Sequence, residues 1–422
     1  MCSELFRIPV EWSGVPIFGF GVLLILWAVG GGLWLAISGK RTGWSAETWS
    51  YLPGLVIGAI AIVAIPRVFP AGLPIRGYGV MVLLGACTGL AMATYRARQM
   101  GLNPELIFSL AFGMFVCGIV GARLFFVIEY WDSRFKADTW SETIFTVLKF
   151  TEGGLVVYGS LIGGTLSFFW FVRRHQLPAL ALADLIAPSL MAGLALGRIG
   201  CLLNGCCYGG ETDKTWAVTF PQESMIYKEQ AANGRSLGLR FSPLAADNPQ
   251  PVVLTVDKNS PAEQAGLQPG MKLAGINGVQ VTNVEEAHAL LWEAFMGKMP
   301  IEIATAEGKT FPIPTVEAPQ RSRPVHPTQI YSAVNAGLLA WLLWSFYSLR
   351  RRDGEVIALM LTIYPISRFL LEEIRIDESP VFGTGLSISQ NISIVIFLGA
   401  ICLWTRLLKL PQARSTFGSA AS

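Results

Sequence analysis

Apolar stretches long enough for a helix to cross about 30 Å of hydrocarbon, a length of about 20 residues, recur along this chain and restrict it to a membrane fold. Trp12 to Gly39 contains no charge. Thr48 to Pro66, Gly77 to Tyr95 and Leu106 to Ile128 follow, the last interrupted by Arg123. Gly153 to Val172 is a fifth stretch, and Leu185 to about Leu203, interrupted by Arg198, is a sixth. After a long polar interval come Pro327 to Leu349, Val356 to Leu371 and Leu386 to Thr405. The expected fold class is an all-α polytopic membrane protein of about nine transmembrane helices. Of the 422 residues only 14% are charged, against about 25% in soluble globular chains. The net charge of +3 sits in no dense basic stretch and gives no reason to expect a nucleic-acid partner. The first stretch has neither a preceding basic region nor a small-residue cleavage site, so it reads as a retained helix.

Orientation follows from Lys and Arg placement. Lys40-Arg41, Arg96 with Arg98, Arg173-Arg174, the triplet Arg350-Arg351-Arg352, and Arg406 with Lys409 all fall at ends that alternation places on one side. Those ends are expected to be cytoplasmic, with the N-terminus and the interval from about 210 to 325 outside.

That interval changes character. Pro251 to Val256 reads as a strand, and residues 259–270 as a short helix closed by glycine. Met271 to Val281 alternates as a strand with an Asn277-Gly278 turn. Val284 to Met296 is an amphipathic helix, and Pro300 to Ile303 with Thr310 to Ile313 form a closing hairpin. Residues 235–316 resemble a PDZ domain, a small, mainly β extracytoplasmic insertion between spans six and seven. Gly238-Leu239-Arg240-Phe241 falls where such domains carry their carboxylate-binding loop. The resemblance implies a peptide or protein ligand added as a strand at the sheet edge. The alternative is an insertion that packs on the membrane domain and binds nothing.

An ionised side chain inside a span costs at least a few kcal/mol, so it tends to face a polar cavity. Arg123, Arg198 and Arg368 qualify, with Asp184, Glu372 and Glu373 as available partners. Arg368 and Glu372 are four apart and share a helix face. Internal ion pairs that hold helices together are one reading. Around Arg198, however, the helix is rich in glycine and admits a close approach. A guanidinium there can hold a phosphate by a bidentate contact, and with Arg368 it would clamp one phosphodiester.

Gly197-Arg198-Ile199-Gly200, followed by Asn204-Gly205 and Gly209, resembles the signature of prolipoprotein diacylglyceryl transferases. Gly77-Tyr78-Gly79, Gly121-Ala-Arg123, the glycine-rich run from Gly153 to Gly163, His326 to Tyr331 and Tyr364 to Arg375 fit the same family in the same order. The resemblance covers residues 75–215 and 325–410; residues 1–74, with two extra N-terminal helices, and the PDZ-like insertion are additions. It implies a multi-pass protein of the bacterial inner membrane with the insertion on the periplasmic side. It also implies transfer of diacylglycerol from phosphatidylglycerol to the lipobox cysteine thiol of prolipoprotein signal peptides. Arg198 and Arg368 would stabilise the departing phosphate. Tyr78, Asn204, Gly209 and Arg123 would line the headgroup site, and Glu372 would orient an arginine. No metal or organic cofactor is implied.

Three departures stand out. Tyr158 occupies the position of a family histidine that helps to activate the thiol, and a phenol of pKa near 10 is a poor base unless a nearby arginine lowers it. Cys201 replaces an asparagine, and Cys206 an acidic residue. His326 is a candidate substitute base or a helix-start residue. Cys201, Cys206 and Cys207 admit packing, a disulfide or a soft-metal site, the last lacking a clear fourth ligand. Competing functions are therefore a non-catalytic scaffold that binds lipid or lipoprotein and acts through the insertion, and a membrane thiol-redox protein.

Overall fold

The computed structural model describes residues 4–131, 135, 140–148, 156–241, 250–375 and 383–415. The chain opens with β1 (Glu4–Ile8) and a small hairpin of β2 (Glu11–Trp12) and β3 (Val15–Pro16). α1 (Val22–Thr42), α2 (Ala46–Trp49) and α3 (Leu52–Val68) follow. The uncharged run from Trp12 is thus not helical from its start: Ser13 and Gly14, both at positive φ, turn the chain back on itself. β1 pairs antiparallel with β4 (Leu73–Arg76), which leads directly into α4 (Gly77–Gln99). Next come α5 (Pro104–Glu129), the short α6 (Trp140–Leu148), α7 (Val157–Arg174) and α8 (Ala179–Asn204). Residues 153–155 of the fifth apolar stretch lie outside the described residues.

The polar interval holds α9 (Met225–Ala232), β5 (Leu239–Phe241), β6 (Val253–Val256), α10 (Pro261–Gln264), β7 (Leu273–Ile276) and β8 (Val279–Gln280). α11 (Val284–Met296), β9 (Ile301–Thr305) and β10 (Thr310–Ile313) complete it. The chain then returns through α12 (Thr328–Phe346), α13 (Glu355–Glu372) and α14 (Ile388–Lys409).

Each apolar stretch contains a helix among the described residues. α1, α4, α5, α8 and α14 are each long and apolar enough to cross a membrane, and α3 is a shorter apolar helix. The protein is a multi-pass helical membrane protein. α4 packs on α8 and α5 on α7 along glycines. A Cβ on Gly163 would overlap the carbonyl oxygen of Cys117, and one on Gly159 that of Gly121. Small residues permit such approach where lipid removes the hydrophobic drive between helices. Much of the glycine-rich run around Tyr158 is therefore spent on the α5–α7 contact. Gly163→Leu is expected to prevent that contact and to cut the yield of folded, monodisperse protein at least severalfold, measured by size exclusion in detergent.

Basic residues at the ends of α4, α12 and α14 meet at one end of the bundle. The Arg96 guanidinium lies over the rings of Trp344 and Tyr347, 4.0 and 4.2 Å from their centroids. Arg352 donates to the Leu410 carbonyl at 2.9 Å. Asp184 is fully buried and accepts from the Gly354 and Ile357 amides, both at 2.8 Å, with Arg350 Nε 3.6 Å away. Asp184 thus serves the start of α13 rather than an intramembrane arginine.

In the insertion, β10-β9-β7-β8 form an antiparallel sheet, and β5 pairs with β6. Asn277 and Gly278, both at positive φ, make the β7–β8 turn, the geometry that asparagine and glycine tolerate best. α11 buries Ala287, Leu291 and Ala294 in a core shared with Leu239, Phe241, Leu273, Ile276 and Ile303. Four charges tie the insertion to the segments entering and leaving the membrane domain: Arg235 donates to Glu211 at 2.7 Å, and Arg323 meets Asp257 at 2.6 Å.

Burial holds the His288 imidazole on α11 below its usual range, opposed by Glu285. An imidazole kept neutral in the fold takes up a proton more readily when the chain unfolds, so stability falls as pH drops through the ordinary value near 6.5. The thermal transition of the insertion, followed in the intact chain from pH 8 to pH 5, is expected to fall more steeply in the wild type than in His288→Leu.

Candidate active site

At the end of the bundle opposite Asp184, the termini of α4, α7, α8, α12, α13 and α14 converge. Arg368, in the last turn of α13, donates to Glu372 one turn later and, through Nη2, to Ser389 Oγ at 2.8 Å. The Tyr158 hydroxyl, at the start of α7, meets the same Ser389 oxygen at 2.9 Å. Ser389 is fixed because α14 begins with a capping box of Ser387 and Gln390, and Gln390 also donates to Glu373 at 2.6 Å. Glu372 is almost fully buried and lies 3.7 Å from Arg375 Nε. Two guanidiniums thus share the Glu372 carboxylate.

Arg198 lies on α8, across a small cleft from Arg368, with Ser332, Asn335 and Tyr364 between them. Among the described residues it makes no hydrogen bond and no ion pair. Leaving such a group half-buried without a partner costs free energy unless an anion meets it. The cleft encloses about 10 Å³, room for about one water, so a phosphodiester reaches both guanidiniums only when their side chains part.

Beside it, α8 ends at Gly205, with φ 71°, and Cys207 follows with φ 57°. This double left-handed turn folds Cys206 and Cys207 back toward Cys201, and the three sulfurs lie within 4.8 Å of one another. All three are free thiols. Hydrogen bonds from Cys201 and Cys206, and then the charges of Arg375 and Arg198, hold the Cys207 thiol well below the usual range. Asn204 sits beside Cys206, and the Tyr78 ring packs against Gly200.

The structure thus gathers Arg198, Arg368, Glu372, Tyr158, Tyr78 and Asn204 at one end of the bundle. Two other expected headgroup residues make local contacts. Arg123 is buried and donates to the Thr146 and Val147 carbonyls, both at 3.0 Å, capping α6. Gly209 sits in a backbone junction: its amide donates to the His326 carbonyl at 2.9 Å, and a Cβ there would strike His326 and Thr328. His326 Nδ1 is 3.4 Å from the Tyr331 hydroxyl. Ser389 and Arg375 join the site without having been singled out in the sequence.

A second feature adjoins the polar corner. A cavity of about 790 Å³, with almost wholly apolar walls, runs between α5, α7, α8 and α13, and its lining includes Val157 and Ser160 of the first turn of α7, which also carries Tyr158.

Residues 66–406 match the family model of prolipoprotein diacylglyceryl transferase. A phosphatidylglycerol–prolipoprotein diacylglyceryl transferase of Rhodopirellula baltica is 32% identical, the match covering 95% of this chain and 88% of the relative. It takes in most of the N-terminal helices and the insertion. The enzyme of that name from Corynebacterium glutamicum is 25% identical over 80% of each chain. A second such enzyme, from Clostridium perfringens, is 25% identical over 82% of this chain and 95% of its own. With matches this long, the chain belongs to the prolipoprotein diacylglyceryl transferase family.

Proposed function

We propose that this transferase moves diacylglycerol from phosphatidylglycerol to the lipobox cysteine of prolipoproteins at the outer face of a bacterial inner membrane. The observation that carries the reading is the unpartnered Arg198 guanidinium facing an Arg368 already aligned by Glu372 and Ser389. The nine long helices among the described residues cross the bilayer, with the basic end cytoplasmic. The acceptor thiolate attacks the glycerol carbon that bears the phosphate ester. A carbon–sulfur bond forms, the carbon–oxygen bond breaks, and the electron pair leaves on the phosphate as glycerol phosphate. Arg198 and Arg368 stabilise the charge on that departing oxygen. Glu372 and Ser389 hold Arg368 in place, Tyr78 and Asn204 border the headgroup, and the apolar cavity beside Tyr158 suits acyl chains.

Tyr158 acts in this scheme as a positioning residue, through Ser389. Loss of a general base typically costs a factor of about 10² to 10⁴. Tyr158→Phe is instead expected to lower transfer less than about tenfold, a smaller factor than that range; a drop within the range would make the phenol the base. The insertion is a periplasmic PDZ-like domain that positions a peptide or protein partner, and residues 75–215 with 325–410 form the catalytic membrane domain.

The test is transfer of labelled diacylglycerol from phosphatidylglycerol to lipobox peptides by the purified protein in detergent. Transfer by the wild type establishes the activity. No transfer by folded protein across several peptides leaves the scaffold reading, which the tyrosine at the histidine position favours.

A further inference from the structure

We propose that Cys201, Cys206 and Cys207 hold a zinc-class cation whose open fourth position binds the acceptor's lipobox thiol as thiolate, an inference that rests on the transfer reading above. The three sulfurs already lie within 4.8 Å of one another. Tetrahedral zinc, with bonds to sulfur of about 2.3 Å, spaces its thiolates about 3.8 Å apart, so closing on an ion requires a shift of about 1 Å. The frame that presents them is rigid on both sides. Cys201 belongs to the last turn of α8, while the carbonyls of Cys206 and Cys207 accept from Gln329 Nε2 and Thr328 Oγ1, both at 2.7 Å. Gln329 and Thr328 are almost fully buried at the start of α12, so they fix the two ligands as supporting residues do in metal sites.

A disulfide would use two of these sulfurs and leave the convergence of the third without a purpose. Three protein ligands and one open position is instead the pattern of catalytic zinc. Three thiolates around a dication carry one net negative charge, and the guanidiniums of Arg375 and Arg198 lie close enough to Cys207 to offset it. A cation on Cys207 would lie near Arg198, one of the two arginines assigned to the phosphate. It also answers the departure at Tyr158, because a thiol that coordinates such a cation gives up its proton without a neighbouring base. The proton goes to solvent. The acceptor sulfur then forms its bond to the glycerol carbon as the carbon–oxygen bond to phosphate breaks, and the cation changes neither charge nor oxidation state.

The full-length protein, purified without chelator and supplied with zinc, is expected to retain about one ion per chain by elemental analysis. The triple variant Cys201→Ser, Cys206→Ser, Cys207→Ser is expected to retain none. Cobalt in place of zinc should give thiolate-to-metal charge-transfer absorption that a lipobox peptide shifts and its cysteine-to-serine counterpart does not. Chelation of the wild type should lower transfer at least tenfold and zinc should restore it, a comparison that needs no folded variant. A wild type that retains no zinc, a disulfide among the three in active protein, or full transfer by the triple variant overturns the proposal. The two readings fail separately: zinc retention with a peptide-shifted cobalt spectrum but no transfer removes only the transferase reading. Full transfer by the triple variant removes only the metal site.

Discussion

Arg198→Ala should lower transfer at least about 100-fold while the protein still inserts and folds, in line with the loss of one preorganised donor to a developing oxyanion. Among the described residues this guanidinium makes no hydrogen bond or ion pair; it acts on the Cys207 thiol through its charge alone. Its removal should therefore leave the thermal transition in detergent close to that of the wild type. Arg198→Lys should recover only part of the rate, because an ammonium keeps the charge but not the planar pair of donors. Arg368→Ala should cost as much activity and also some stability, because it takes one of two guanidiniums from the buried Glu372 and a donor from Ser389. Unchanged transfer in Arg198→Ala would remove the phosphate from this corner altogether.

Asp184→Ala has the largest expected effect on the fold. Its carboxylate accepts two amides at the start of α13 and lies against Arg350, all shielded from solvent. Deleting one partner of a buried pair typically costs about 3–5 kcal/mol; here Asp353, 3.8 Å from Arg350, offsets part of the charge left behind, and the two amides lose their acceptor. Unfolding in detergent, followed by loss of the monodisperse peak with temperature, should show a large drop. Asp184→Asn, which keeps one accepting oxygen, should lose less. A change within about 1 kcal/mol, the range of exposed ion pairs, would mean that water reaches this junction.

The helices were legible in the sequence because apolar runs bounded by basic residues leave few alternatives in a bilayer, and strands of the polar interval were legible through alternation and the Asn277-Gly278 turn. The sequence did not reveal the start of α1: Ser13-Gly14 lies inside an uncharged run, where hydropathy alone continues the helix backward. The pairing of β1 with β4 is a long-range contact with no local signal. In the site, the Arg368–Glu372 pair was legible from its spacing of four. Ser389 was hidden among the serines that open α14, and only the geometry separates it from the capping Ser387. Arg123 was legible as a buried charge, but its partners are backbone carbonyls of α6, which any sequence supplies. The meeting of three sulfurs depends on the left-handed turn at Gly205 and Cys207, where a cysteine at positive φ is unexpected.

The large apolar cavity has walls that include Phe115, Leu161 and Leu190, each exposed at the bundle surface. A lipid taken up in this cavity, as proposed, would enter sideways, by lateral diffusion, without leaving the bilayer. The rate would then follow the mole fraction of phosphatidylglycerol in the leaflet, not its bulk concentration. Diluting that lipid with an inert phospholipid at constant total lipid should slow the enzyme, whereas adding more vesicles of the same composition should not speed it.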